Sequence, residues 1–438
     1  MQQLYSWPWV QSQVAQTIAV WSASATGPAR IGPPYGPEEQ LKREQSYDLG
    51  LQAVEREARS VSGSRAERAK ARDRIVAAFA RFSATALDLP SEAIQILTDE
   101  FLPVGTKLAC WARRFDANLG RADIIQACRN AWTACGMQPL LGERIAITPS
   151  IMGYSLLYPY SDNFLDGEEI TVEAKLRFSR RFRDRLQGAT PATQNDREAA
   201  LWTLVALIEQ QYPRARFPQV FDCLLAIHRA QEESIEQVRS DRDEIELLRM
   251  SCAKGGSSVL ADACLARGWL TDDEHRFAFE WGVLLQLGDD LQDVREDMQR
   301  GSVTLFSRAA ALGQPLDALV IQLLGFSERV GERMDHLPNG SPVLKALLRM
   351  SWRSLILGAV ADSYQFFSPE FLEQAERCSP FRFGFLRARR ERLTSRQGLY
   401  ATLFDAFLEA SDEDDGELPL PELRLVSHGE ADSDPMQI

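Results

Sequence analysis

The chain has 438 residues, 45% of them hydrophobic and 25% charged, which suits a globular protein with a large core. Its net charge of −13 argues against nucleic acid as the main partner, though a local cation cluster or bound metal can still draw an anionic small molecule. The seven scattered cysteines have no CxxC spacing, and no apolar run is long enough to span a bilayer. Free, buried thiols in a reducing, cytoplasmic setting are therefore expected, with no stable membrane insertion.

The N-terminus carries an apolar patch over Trp7–Trp21 with no Lys or Arg before it, unlike a signal peptide. Gly and Pro punctuate residues 27–37, so residues 1–45 read as an arm or linker lying on the body. Residues 46–408 form the expected main domain. Apolar residues recur there at helical spacing, and strand-like alternation is missing. The expected fold is all-α: one large helical bundle of roughly a dozen helices around a central apolar cavity. Breaks fall at 88–91, 136–142, 188–196, 212–218, 313–316 and 337–342. Ser91, and Thr271 ahead of Glu274, are expected N-caps. Residues 409–438 open Asp-Glu-rich from Asp412 and read as a disordered acidic tail.

Two segments carry the chemistry. Every fourth residue of the first gives Tyr154, Tyr158, Asp162 and Asp166, a helical column that changes from aromatic to acidic. Pro159 can kink this helix without destroying the register. Every fourth residue of the second gives Trp281, Leu285, Asp289, Asp293 and Asp297. Leu284, Leu285, Leu287 and Leu291 surround that stripe and mark a largely buried helix. Buried like charges require a cation. Carboxylates so spaced suit Mg²⁺, which takes its remaining ligands from water and substrate phosphates. The four histidines form no i, i+4 pair, which disfavours zinc.

Cations that could meet a phosphate are Lys254, before a Gly255-Gly256 break, with Arg249 upstream. Arg180 and Arg181, in a cluster with Arg183 and Arg185, follow the first acidic segment, and Arg295 and Arg300 lie beside the second. Ion pairing with the many carboxylates is the competing role for each arginine. Core packing competes with cavity lining for Tyr154, Tyr158, Trp281 and Leu285.

Gln286-x-x-Asp289-Asp290-x-x-Asp293, with Lys254-Gly255-Gly256-Ser257 upstream, is similar to the second Asp-rich region of trans-prenyltransferases. Asp162-Asn163-x-x-Asp166 resembles the first Asp-rich motif of class I terpene synthases. Together, with Leu225–Gln231 and Gly301–Phe306 as supporting text, they resemble the bacterial, tetraprenyl-β-curcumene synthase-like branch of the isoprenoid synthase fold, over residues 95–310. The resemblance implies a Mg²⁺-dependent lyase using three ions. Asp162 and Asp166 would chelate metal with Asn163 beside them, and Asp289 and Asp293 would hold the remaining ions. Asp290 and Asp297 are further candidates. Lys254 would bind diphosphate, Gln286 would share the cavity wall, and the partner would be a prenyl diphosphate, a homodimer being left open. In the one-five-nine metal pattern of cyclases, Asp occupies all three positions here, which departs from the family.

Two reactions follow from that resemblance: ionisation and cyclisation of one isoprenoid diphosphate, or condensation with isopentenyl diphosphate or another acceptor. Trans-prenyltransferases carry an Arg pair shortly after the first motif, whereas here Gly167-Glu168-Glu169 follow and no arginine comes before Arg177. Gly105-Thr106-Lys107 and Arg113-Arg114 are poor substitutes for a second basic site. Cyclisation is therefore favoured. A catalytically silent helical partner subunit is a third reading, disfavoured by the cost of unused buried carboxylates.

Overall fold

A computed structural model describes residues 5–24, 31–60, 64–165, 167, 169–236, 243–399, 401 and 404, the side chains of residues 60, 65, 158 and 234–236 excepted. The acidic segment 409–438 and Asp166 lie outside the described residues, as does the side chain of Tyr158. Among the described residues there are helices and no strand. In chain order the α-helices are α1 (Trp7–Ser24), α2 (Pro37–Ser60), α3 (Arg65–Thr85), α4 (Ser91–Gln95), α5 (Leu102–Phe115), α6 (Arg121–Leu140), α7 (Pro149–Leu165), α8 (Val172–Leu186) and α9 (Asp196–Gln211). They continue as α10 (Pro218–Glu236), α11 (Glu244–Arg267), α12 (Asp272–Gln292), α13 (Val294–Arg300), α14 (Leu305–Ala311), α15 (Asp317–His336), α16 (Pro342–Asp362), α17 (Pro369–Arg377) and α18 (Phe383–Ser395).

The helices outnumber the dozen expected because several turns carry little Gly or Pro. The join between α12 and α13 is one such place, where Asp293 alone leaves the helical region. Conversely Gly136 does not break its helix, since α6 runs on to Leu140. Pro90, extended at φ −67° and ψ 155°, takes the N-cap position expected of Ser91, which becomes the first helical residue. Thr271 does cap α12: its side chain accepts from the Glu274 amide, and Glu274 reaches back to the Thr271 amide at 2.8 Å. Pro159 leaves α7 continuous. The expected boundary at 45/46 falls inside α2. Upstream of it α1 is built into the body, with Val10, Val14 and Trp21 buried and the Trp21 carbonyl accepting from Gln322 at 2.9 Å.

The centre of the molecule is the antiparallel pair α11–α12. Phe277, Phe279, Val283, Leu287 and Leu291 of α12 are fully buried. The pair approaches closely because the residues at the crossing lack side chains. A Cβ on Gly282 would stand 2.0 Å from the Gly255 carbonyl oxygen, one on Gly255 2.4 Å from Gln286 Cβ, and one on Gly256 2.5 Å from the Phe279 ring. Gly255-Gly256 is therefore no break beside a lysine. It lies mid-helix in α11 and serves as a contact surface.

All seven cysteines are free, six of them buried. No described helix is long and apolar enough to cross a membrane.

Gly282→Ala should destabilise the protein by about 3 kcal/mol, since neither backbone can yield without separating the helices. Gly358, mid-helix in α16 with nothing within 4 Å of its would-be Cβ, gives the contrast. Gly358→Ala should stabilise by about 0.5–1 kcal/mol. Urea denaturation of both variants checks the pair, and equal midpoints would refute the steric account.

Candidate functional site

A cavity of about 400 Å³ lies between α6, α7, α8, α10, α11 and α12. That is within the range of small-molecule sites. Its wall includes Asp162 and Tyr154 of α7, Gln231 and His228 of α10, Lys254, Ser258 and Asp262 of α11, Leu285, Gln286 and Asp289 of α12, and Arg129, Asn130 and Trp132 of α6.

Cross-helix contacts fix the level of each group. Ser150 Oγ donates to the Leu265 carbonyl at 3.2 Å and Tyr154 Oη to the Ser258 carbonyl at 3.4 Å, so α7 and α11 run antiparallel. Continuing that register brings Asp162 toward the level of Lys254. On α12, Asp290 accepts from Ser251 of α11 at 2.7 Å, which sets Asp289 at the same end. Arg129 Nη2 reaches Asp289 Oδ1 at 3.5 Å. The cavity thus has a polar end built from Asp162, Lys254, Arg129 and Asp289. Eight residues along each helix, or about 12 Å, lie Tyr154 and Asp262.

Asp162 is buried, and its Oδ1 accepts from Gln231 Nε2 at 2.6 Å and Ser161 Oγ at 3.3 Å. Burial pushes the Asp289 carboxyl up to about 6. Arg129 and Lys254 oppose the rise, and Asp290 and Asp293 add to it. Burial also raises Asp293, with Glu296 adding to the effect. Asp297 is raised to about 7, first by burial and then by Asp290, Asp293 and Glu296. Asp293 and Asp297 are not on the cavity wall. They continue the stripe of repelling carboxylates beyond it, with Arg129, Arg390 and Arg300 opposing the rise at Asp293 and Arg300 that at Asp297. The donor chemistry here is all oxygen, which fits a hard divalent cation. Among the described residues no three or more His, Cys, Asp or Glu side chains converge to hold a metal unaided.

The other expected site residues divide. Tyr154, Leu285, Gln286 and Lys254 line the cavity. Trp281 does not. It packs in the core against Phe277 and Trp352, at ring separations of 5.5 and 5.8 Å. Asp290 accepts from Gln286 at 2.8 Å and Ser251 at 2.7 Å, so it ties α11 to α12 rather than facing the cavity. Asn163 donates to Asp123 at 2.9 Å on the outside of α6. None of the arginines expected at the diphosphate is on the wall. Arg181 is paired with Glu198 at 2.7 Å, Arg300 with Glu296 at 2.6 Å, and Arg295 donates to the Asp362 carbonyl and Gln365. Arg180 and Arg249 are exposed.

Arg129, Asn130 and Asp262 are wall residues that the sequence did not single out, and His228 was included only within the supporting segment Leu225–Gln231. His228 Nε2 lies 2.9 Å from the Ser179 carbonyl, to which it must donate, and Nδ1 is buried without a partner among the described residues. Burial pushes Glu232 upward, but the His228 hydrogen bond and charge, with Ser179 and Arg183, bring it down to about 2. Asp262 stands eight residues from Lys254 on the same face of α11, a column that was readable once Gly255-Gly256 was known to be helical.

A second, almost wholly apolar hollow of about 730 Å³ lies between α2, α3, α5 and α6. The two share Trp132. Its Nε1 donates to the Phe101 carbonyl at 2.9 Å, at the end of a π-helical turn over Ile96–Phe101.

No family model, curated protein or solved structure matches the chain.

Burial holds the Asp262 carboxyl well above the usual carboxylate range, opposed by the Asn130 hydrogen bond. The folded chain therefore keeps a proton that the unfolded chain loses near 3.8, so this group works against folding as the pH rises past that value. Asp262→Asn removes the linkage. Its stability relative to the parent should grow as the pH rises above 3.8, read from urea midpoints. A difference that does not change with pH would mean that Asp262 ionises normally.

Proposed function

We propose that the chain ionises an isoprenoid diphosphate with Mg²⁺ and cyclises the resulting cation, releasing diphosphate. One observation carries this reading. Asp162 and Asp289, on separate helices, share one cavity with Lys254 and Arg129, while Tyr154, Leu157 and Leu285 form apolar wall in the same space. A ligand with an anionic head and a hydrocarbon tail matches that polarity.

Asp162 and Asp289 would hold the metal, with Asp293 and Asp297 extending the oxygen donors outward. Bound Mg²⁺ supplies positive charge to the leaving diphosphate. Lys254 and Arg129 add hydrogen bonds to the same oxygens, and these strengthen as the C–O bond breaks. Gln231 fixes the Asp162 carboxylate by donating to Oδ1. The ring of Tyr154 offers a π-face to an allylic cation, and the apolar wall keeps water from quenching it.

Among the described residues, Arg129 and Lys254 are the cations on the wall, both beside Asp289. They suffice for one diphosphate. That supports a single-substrate cyclisation over condensation of two diphosphates, which needs a second anion site. Cyclisation also accounts for the raised carboxylates better than a silent partner subunit does, since their repulsion costs stability without a ligand.

Purified protein with Mg²⁺ should release diphosphate from one of geranyl, farnesyl, geranylgeranyl or longer diphosphates, and yield a hydrocarbon or alcohol without isopentenyl diphosphate. EDTA should abolish release and excess Mg²⁺ restore it. Asp162→Asn and Asp289→Asn should each lower turnover by about 100-fold or more, with helicity by circular dichroism retained. Elongated diphosphates formed only with isopentenyl diphosphate would establish the transferase instead. No release from any substrate would establish the silent subunit.

A further inference from the structure

We infer that Asp262 is an internal proton donor and acceptor, which reprotonates a neutral cyclised intermediate and later takes the terminating proton. The inference rests on the proposed cyclisation and adds a step to it.

Asp262 is 1% exposed and lies on the cavity wall beside Tyr154 and Ser258, about 12 Å along α11 from the Lys254 end. Its Oδ1 accepts from Asn130 Nδ2 at 3.2 Å. Its Oδ2 is buried and has no partner among the described residues. Buried polar atoms are rarely left so, and the exceptions call for a reason. A ligand in the cavity provides one. The geometry also assigns the proton. Asn130 donates to Oδ1, so a neutral Asp262 carries its hydrogen on Oδ2. Asn130 is itself steadied on α7, where Nδ2 also lies 3.3 Å from Ser155 Oγ. Burial with no adjacent cation favours the neutral acid, consistent with the raised carboxyl described above. A neutral carboxylic acid in an apolar pocket is a known form of donor.

The step balances. The departing diphosphate takes a proton from the first cyclised cation, leaving a neutral polyene. Oδ2–H then protonates one carbon of a C=C bond. The π pair becomes the new C–H bond, a cation forms at the other carbon, and Asp262 is left as a carboxylate held by Asn130. After further closure a C–H beside the final cation returns its proton to Oδ2, and that electron pair becomes the product double bond. No oxidant or reductant enters. Between turnovers the Oδ2 proton exchanges with water admitted by local motion of the wall, since Oδ2 is buried even in the empty cavity.

The test is turnover in D₂O with Mg²⁺ and whichever prenyl diphosphate the protein consumes, scored as deuterium per product molecule and per diphosphate released. The wild-type product should carry one carbon-bound deuterium. Asp262→Asn, which keeps the size and the Asn130 contact but lacks the acid, should give a less cyclised product with none. Asp262→Glu should restore part of the label. A wild-type product without deuterium overturns the inference and requires no variant. So does an Asp262→Asn product identical to the wild type and still labelled, or label that survives in Asp262→Asn and is lost in His228→Asn. In each of these cases diphosphate is still released, so the cyclisation reading stands. If wild-type protein releases no diphosphate, the parent reading fails and this inference with it.

Discussion

The close approach of α11 to α12 sets everything else in the site. Three glycines at the crossing bring two backbones together where any side chain would collide. That contact fixes the register between the helices to within a fraction of a turn. Lys254 immediately precedes the first of these glycines, and Asp289 stands seven residues beyond the last. Their proximity is thus a property of backbone packing, not of the attraction between them. Opposite charges would otherwise need flexible stems to find each other and would lose side-chain entropy in doing so. Here the cation and the carboxylate are delivered together, and Ser251 and Gln286 hold the adjacent Asp290 to close the joint.

Around that close pair the wall is completed by helices α6, α7, α8 and α10. α6 contributes Arg129, whose side chain is more than half exposed where it meets Asp289. α7 contributes Asp162, buried and oriented by Gln231 from α10. The polar end therefore combines carboxylates and cations from four helices. The deeper part holds two unusual groups, Asp262 with an unsatisfied oxygen and His228 with an unsatisfied nitrogen. Both are desolvated, and each keeps one polar atom that no described residue bonds, Asp262 Oδ2 and His228 Nδ1.

Much of the fold was legible because helical periodicity and capping are local. Thr271 and the turns near 188–196 and 212–218 follow directly from residue type. The helix count was underestimated because turns such as the one at Asp293 carry no glycine or proline. The acidic stripes were readable for the same local reason: a four-residue repeat is a statement about one helix. Which members of a stripe face the cavity is not local. Trp281 belongs to the stripe and Asp290 to the Asp-rich motif beside it, yet their neighbours on α11, α16 and within α12 engage them elsewhere. The arginines expected at the diphosphate are off the wall because proximity in sequence to Asp162 or Asp289 says little about direction. Arg181 follows the first stripe yet is bonded to Glu198 on α9. Arg129, distant in sequence from both stripes, reaches Asp289 at 3.5 Å. Gly255-Gly256 misled most, since glycine pairs break helices in water but can seal them together in a core.

Trp132 carries a consequence of another kind. Its indole borders both the site and the larger apolar hollow, and its edge is pinned by a carbonyl that the π-turn presents. Gly105 leaves the room that the ring occupies, since a Cβ there would stand 2.7 Å from it. The partition is therefore seated in the backbone of the chain's first third and owes nothing to what fills either side. A lineage of such proteins could enlarge its chamber by altering one aromatic ring while every helix stays where it is.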